Sequence, residues 1–378
     1  MQRKIRHHRR KGTFLIMAAI MMVVMAGFVA FSVDLGYLYN ARAELQRTAD
    51  ASAIAGCWEL LNKDVSGASN SNTLVSNARS KVTEYVGYNK VLSQTPELSY
   101  DDVGIGYIAN PYDSTSPFVA SGYVGNPNAV KVKIRRDSVR NGEIPLFFAP
   151  ILGTNSAAVS VEATAALLND FSGFSAPSDG SNLGILPFAL DEQTWNDLMA
   201  GGGTDGYRYA TGGGSVSTAP DGIREVNLYP QGTGSPGNRG TVDIGGANNS
   251  TADIARQIVY GISASDLAKM GGSIAFDSSG KLYLNGDTGI SAGVKDELAS
   301  IIGQTRMIPI FRSVSGPGNN ATYTIVKFVG IRVMNVKLTG SMSSKEVIVQ
   351  PAAMMTKGGI HGSSSNTQYI WSPAWLVR

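Results

Sequence analysis

Three histidines and one cysteine are present, which restricts metal and nucleophilic chemistry from the outset. His7 and His8 lie in a basic leader, so a histidine-based triad would rest on His361 alone, set in a Gly/Ser-rich stretch. Zinc needs clustered Cys and His at ligand spacing, and the sequence does not supply it. The loop acids Asp277 and Asp287, with Asn285 between them, are a candidate calcium set, but they miss the EF-hand pattern and read more simply as turn residues. The triple glycines at 201–203 and 212–214 lack the strand-Gly-helix frame of a phosphate cradle. Carboxylates paired only in space are invisible at this level. No catalytic residue, cofactor or metal site is expected.

The placement of charge excludes a further class. The formal net charge is +3, yet Arg3, Lys4, Arg6, Arg9, Arg10 and Lys11 fall within the first 12 residues. Removing those six leaves −3 for everything after residue 12, so no electrostatic reason exists to track phosphates, and no nucleic acid is expected as a partner. Cys57 cannot form an intramolecular disulfide and reads as a small helix-packing residue.

The elements that must position these residues begin with an apolar run. Thr13 to Val33 is 21 residues without a charge, which as a helix spans roughly 32 Å, the thickness of a hydrocarbon core. The basic cluster before it predicts a cytoplasmic N-terminus and a bulk on the far side, with membrane lipid as the solvent of the run. A cleavable signal peptide is the competing reading, with small residues at Ala30-Phe31-Ser32. The length of the run and the unbroken helix-forming sequence after it favour an anchor. Helix is predicted on to about Leu61, with Leu38, Ala41, Leu45, Ala49, Ser52 and Gly56 on one narrow face that admits another backbone, and Glu44 and Arg47 facing water opposite.

Asp34, Gly36, Tyr39, Arg42, Leu45, Gln46, Ala49, Asp50, Ala51, Ala55 and Gly56 follow in that order. This ordered set resembles the N-terminal segment of Tad (Flp-type) pilus-assembly proteins of the TadE/TadG-like group. The resemblance continues more weakly to residue 168, through Val130, Val132 and Ile134, the apolar LFFAPILG run and AVSVEATAALL. It implies a non-enzymatic pilus-assembly component whose partners are other Tad proteins, with homo-oligomers formed through the N-terminal helix. A processed pilin of this kind has Glu five residues after the cleavage glycine. After Gly12 that position is Met17, and Glu44 is the first glutamate, so an uncleaved TadG-like component fits better than a polymerised subunit. Some relatives carry a von Willebrand A domain opening on Asp-x-Ser-x-Ser; Asp277-Ser278-Ser279-Gly280 does not match it. Asp34, at the membrane exit, is expected either to bond a neighbouring helix or to sit in the hydrated interface.

The expected fold class is α+β: a transmembrane helix extended into a long helix, a helix-plus-antiparallel-sheet region, and a second β-rich domain. The expected divisions are a leader (1–12), transmembrane helix (13–33), helical extension (34–62), α+β pilin-like region (63–168), linker (169–182), β-rich ectodomain (183–355) and C-terminal tail (356–378). A second helix is predicted over 72–90 with Leu74, Ala78, Val82 and Tyr85 inward. Strands are predicted near 98–108, 118–124, 129–136 and 157–167, and later over IPIFRSV, Ala321 to Leu338 with a break at Gly330 if it is a pair, and EVIVQP. Short helices are predicted over Glu192 to Met199, Ala252 to Tyr260 and Ala292 to Ile302. Trp371 and Trp375 are expected to cap a core. A membrane-tethered envelope or carbohydrate-binding module is the alternative function, with a periplasmic hydrolase behind it.

Overall fold

The computed structural model describes residues 13–63, 71–120, 127–210, 214–229, 239–246, 250–287, 292–316, 320–362 and 366–377. The basic leader, and residues 230–238 and 247–249 of a Gly-rich stretch, lie outside them. The fold is α+β, as expected.

Helix α1, Thr13–Glu59, is one unbroken rod of 47 residues, about 70 Å long at 1.5 Å per residue. Its sequence has no proline, and Gly27 and Gly36 sit where an added Cβ would meet nothing. Described side chains from Phe14 to Val33 are exposed, apart from half-buried Ala30. The helix is long and apolar enough to cross a membrane. From Ala41 onward α1 is buried on one face: Ala41, Leu45, Ala49, Ala53 and Cys57 are fully enclosed. The cover comes from the chain itself. Helix α2, Ser71–Tyr88, lies along α1, and a four-stranded antiparallel sheet closes the other side, in the order Val103–Gly106, Ala129–Arg136, Val159–Ala166, Trp375–Leu376. The small-residue face of α1, expected to receive another backbone, is therefore filled by its own α2 and sheet. Small side chains there let α2 approach closely: Ala78, Val82 and Val86 share the same core. Val86 takes the inward place predicted for Tyr85, which is exposed. Of the segment predicted over 118–124, the structure describes a single bridge, Val119 to Tyr107, and residues 121–126 lie outside the described residues.

The second body is an eight-stranded mixed sheet with an apolar cluster on either face. One face carries α3 (Glu192–Met199), α4 (Thr251–Tyr260) and α6 (Lys295–Ser300), which bury Trp195, Ile258 and Leu298 against Ile308, Ile310 and Val329. Between α4 and α6 the short α5, Ala264–Lys269, adds Leu267 to the opposite cluster. Its longest strand, Ala321–Lys337, runs 17 residues without a break at Gly330. Pairing to Thr305–Ser315 skips Val326, and the bulge changes which residues face which side. Before it Ala321, Tyr323 and Ile325 face one cluster; after it Val329, Ile331 and Val333 face the other. Gly330 is present because two carbonyls, of Ala352 and Tyr369, crowd the space a Cβ would fill.

The stretch 169–182, expected as a linker, contains the strand Phe171–Ser175, which pairs with Ser273–Ala275 and Gly359–His361 and buries Phe171 and Phe174. Both phenylalanines reach the same cluster because the pairing with Gly359–His361 skips Ser172. The C-terminal residues are likewise structural. Thr367–Gln368 joins the large sheet in parallel, Ile370–Trp371 pairs with Met354–Met355, and Trp375–Leu376 becomes the outer strand of the first sheet. This strap runs from one body to the other. Ile370 belongs to a core of the second, Trp371 to the core of the first. Trp375 is half-buried and stacks on Tyr112, centroids 4.9 Å apart.

Candidate functional site

The residues singled out along α1 separate into three groups by what they touch. Leu45, Ala49 and Gly56 are buried in the first core. Gly56 is required there: a Cβ would run into Val82 Cγ2 and lie 3.3 Å from both Ala78 O and Val130 Cγ1. Gln46 and Asp50 form a second group. The Gln46 amide donates to Asp50 Oδ1 at 2.8 Å and to the carbonyl of Glu162 at 3.2 Å, fixing α1 to the strand Val159–Ala166. Glu44, expected to face water, is half-buried and accepts from the N–H of Leu92 at 2.7 Å, so it holds the turn after α2.

Gly36, Tyr39 and Arg42 form the third group. Tyr39 is 65% exposed, Gly36 and Arg42 are exposed, and no side chain of the described residues bonds to either Tyr39 or Arg42. With Leu35, Leu38, Ala158, Val159 and Ser160, Tyr39 and Arg42 line a shallow groove just beyond the apolar run. Leu38 belongs both to this groove and to the small-residue face expected from sequence.

Asp34 has partners that neither expectation named. It is 5% exposed, and its carboxylate reaches a loop more than a hundred residues away. Oδ1 accepts from the N–H of Phe147 at 2.8 Å, Oδ2 from those of Phe148 at 3.0 Å and Ala149 at 2.7 Å. These N–H groups open the 3-10 turn Ala149–Leu152, so Asp34 serves it as a capping residue supplied from another element. Tyr37 adds an edge contact to Phe147, centroids 5.1 Å apart. Burial raises the Asp34 carboxyl, but the three N–H donors outweigh it and hold it below its ordinary value of 3.8.

Buried Asp102 behaves similarly: burial raises it, while the Ser99 N–H and hydroxyl, Arg135 at 3.2 Å and Arg140 at 3.9 Å bring it below 3.8. A carboxyl depressed by folding contributes stability above the unfolded value, and that contribution is lost as pH falls through the lower folded value. The stability these two carboxyls contribute is thus expected to decline below pH 3.8. The stability gap between the native chain and Asp34→Asn is expected to narrow over the same range, read by proteolysis of detergent-solubilised protein across a pH series.

Among the described residues the other candidates are held mainly by structural contacts, with the Asp170 charge also acting on His361. Cys57 is enclosed, its thiol 3.7 Å from Asn128 O, and burial pushes the thiol well above its ordinary range, away from reactivity. His361 pairs through its backbone with Phe171, and the nearby Ser172 hydroxyl donates to the carbonyls of Ile360 and His361 rather than to the imidazole. Asp277 accepts from Ser279 and Lys281 N–H groups in its own turn. Among the described residues no three His, Cys, Asp or Glu side chains converge as a metal site.

The family comparison covers the α1, α2 and first-sheet region. Residues 12–68 match the family model described as putative Flp pilus-assembly TadE/G-like, and residues 46–165 match that of putative Tad-like Flp pilus-assembly. Together the two matches cover residues 12–165. The matched span contains all three groups of α1 residues, the Asp34 contact and the loop it holds. Neither a curated protein nor a solved structure matches the chain. These matches support a role in pilus assembly. Sequence reasoning missed Phe147–Ala149 as partners of Asp34, because a carboxylate bonded to backbone leaves no complementary side chain to find.

Proposed function

We propose that this protein is a membrane-anchored, non-enzymatic component of Tad/Flp pilus assembly. In this reading residues 13–33 cross the inner membrane, the basic leader stays cytoplasmic, and the two folded bodies are periplasmic. The support is the exposed apolar half of α1 preceded by six basic residues, together with the Tad matches. Other Tad proteins, or a second copy, dock on the Gly36–Tyr39–Arg42 face. The observation that carries this assignment is that these residues of the family pattern are exposed, whereas Leu45, Gln46, Ala49 and Gly56 are engaged by the chain itself. An exposed tyrosine beside an arginine is the kind of pair that interfaces concentrate.

Tyr39→Ala with Arg42→Ala is expected to cut pilus output and lose crosslinks to partner proteins, while protein level and thermal unfolding stay unchanged. Gly36→Leu, which meets open space in this chain, should act the same way by bulk. Full piliation in both variants at native protein level would remove this face from assembly.

A further inference from the structure

The loop that Asp34 holds has no apolar cover. Phe147 is 62% exposed, Phe148 41%, Ile151 83% and Leu152 86%. These four, with Pro150, sit on a projection whose base is the two-residue hairpin Ile144–Pro145 against Ser156–Ala157. A water-facing loop of this size ordinarily carries charges, but residues 144–161 contain none. Its N–H groups are largely satisfied without water. Asp34 takes three, Leu146 donates to Asn155 O, Ile151 to Phe148 O, Gly153 to Pro150 O and Thr154 to Ala149 O, and Pro150 has none to offer. Gly153, at φ +88°, ends the turn in the left-handed region. A tip that is apolar, uncharged and internally bonded meets the conditions for entering a lipid interface.

Its position says which surface covers it. Asp34 is the first charged residue after the apolar run and is bonded to this loop, so the projection stands within a helical turn of the membrane exit. The apolar surface of the span and that of the loop are continuous through Tyr37 and Phe147. We infer that residues 147–152 dip into the headgroup and upper acyl region of the same bilayer that α1 crosses, forming a second membrane contact. Asp34 is then a positioning residue: its carboxylate fixes the loop to the helix, so the angle between α1 and the lipid surface is set by two contacts instead of one. Lipid covers the aromatic pair and Ile151-Leu152, and the carboxylate at the interface is spared desolvation cost by its backbone donors. This inference rests on the anchored reading above.

Full-length protein in phosphatidylethanolamine/phosphatidylglycerol vesicles tests it, with Cys57→Ala as background and a single environment-sensitive fluorophore on Leu152→Cys, Val24→Cys or Asp296→Cys. Quenching by spin-labelled acyl chains and by aqueous iodide is compared. The expected result is lipid quenching at positions 24 and 152 and iodide quenching at 296. Adding Asp34→Asn should abolish most lipid quenching at 152 and leave 24 unchanged. Iodide quenching at 152 with lipid quenching at 24 overturns the inference while the anchor stands; loss of lipid quenching at both overturns the anchor. Protection of 152 from both quenchers assigns the loop to a protein contact and also overturns it.

Discussion

Trp371→Ala is expected to destabilise the protein by about 3–5 kcal/mol, the range for removing a buried aromatic from a packed core. Domains as a rule have only about 5–15 kcal/mol in total, so this single change should leave a substantial unfolded fraction on mild heating. The reason for so large an effect is location. Trp371 is 2% exposed in the core beneath α1 and the first sheet, yet its backbone pairs with Met355 of the other body. Its loss leaves a cavity on one side and loosens the strap on the other. Hydrogen exchange should quicken in Val159–Ala166 and in Met354–Met355 together. The indole N–H is buried without a partner among the described residues, so Trp371→Phe sacrifices no hydrogen bond to them and should be far milder. Equal damage from both substitutions would mean that shape at this site counts for more than volume.

Gly56→Leu is the second large effect, and it acts by overfilling. The added side chain has to displace Val82, a β-branched residue held in a helix, and press on Ala78 O and Val130. Overpacking of this kind costs about 1–3 kcal/mol and more where backbone must move, and here the neighbours come from both α2 and the sheet. The expected readout is a lowered unfolding temperature with α2 exposed to protease, and no pili. Val82→Ala opens the colliding volume, so combining it with Gly56→Ala should restore stability more than the two separate effects predict. Additivity of the pair would place the conflict at Val130 or at the Ala78 carbonyl instead.

The N-terminal half was the more legible part of this fold, and the reason is periodicity. An uncharged run of 21 residues followed by small residues at helical spacing can hardly form anything but a long helix, and α1 is that helix. What the spacing could not say is whose backbone fills the small-residue face. In α2, Tyr85 and Val86 both lie one turn from Val82, and only the position of α1 decides that Val86 goes inward. The same limit applies to Gly330, where the glycine looked like a break. It marks close approach by the strap, a contact between segments far apart in sequence. Of the candidate surface, the ordered residues from Asp34 to Gly56 were readable, but their division into packed, bonded and exposed sets was not. Asp34 in particular has partners 113 to 115 positions downstream.

The outer strand of the first sheet has a consequence for biogenesis. Trp375 pairs with Ala166, so the first sheet stays incomplete until more than two hundred residues beyond Ala166 have been synthesised. At ribosomal speeds of about 5–20 residues per second, that interval is roughly 10–40 s. Throughout it the edge at Ala165–Ala166 has no neighbour and the place of Trp371 is empty. A nascent chain in this state offers both an unpaired strand and an apolar hollow to whatever chaperone arrives first.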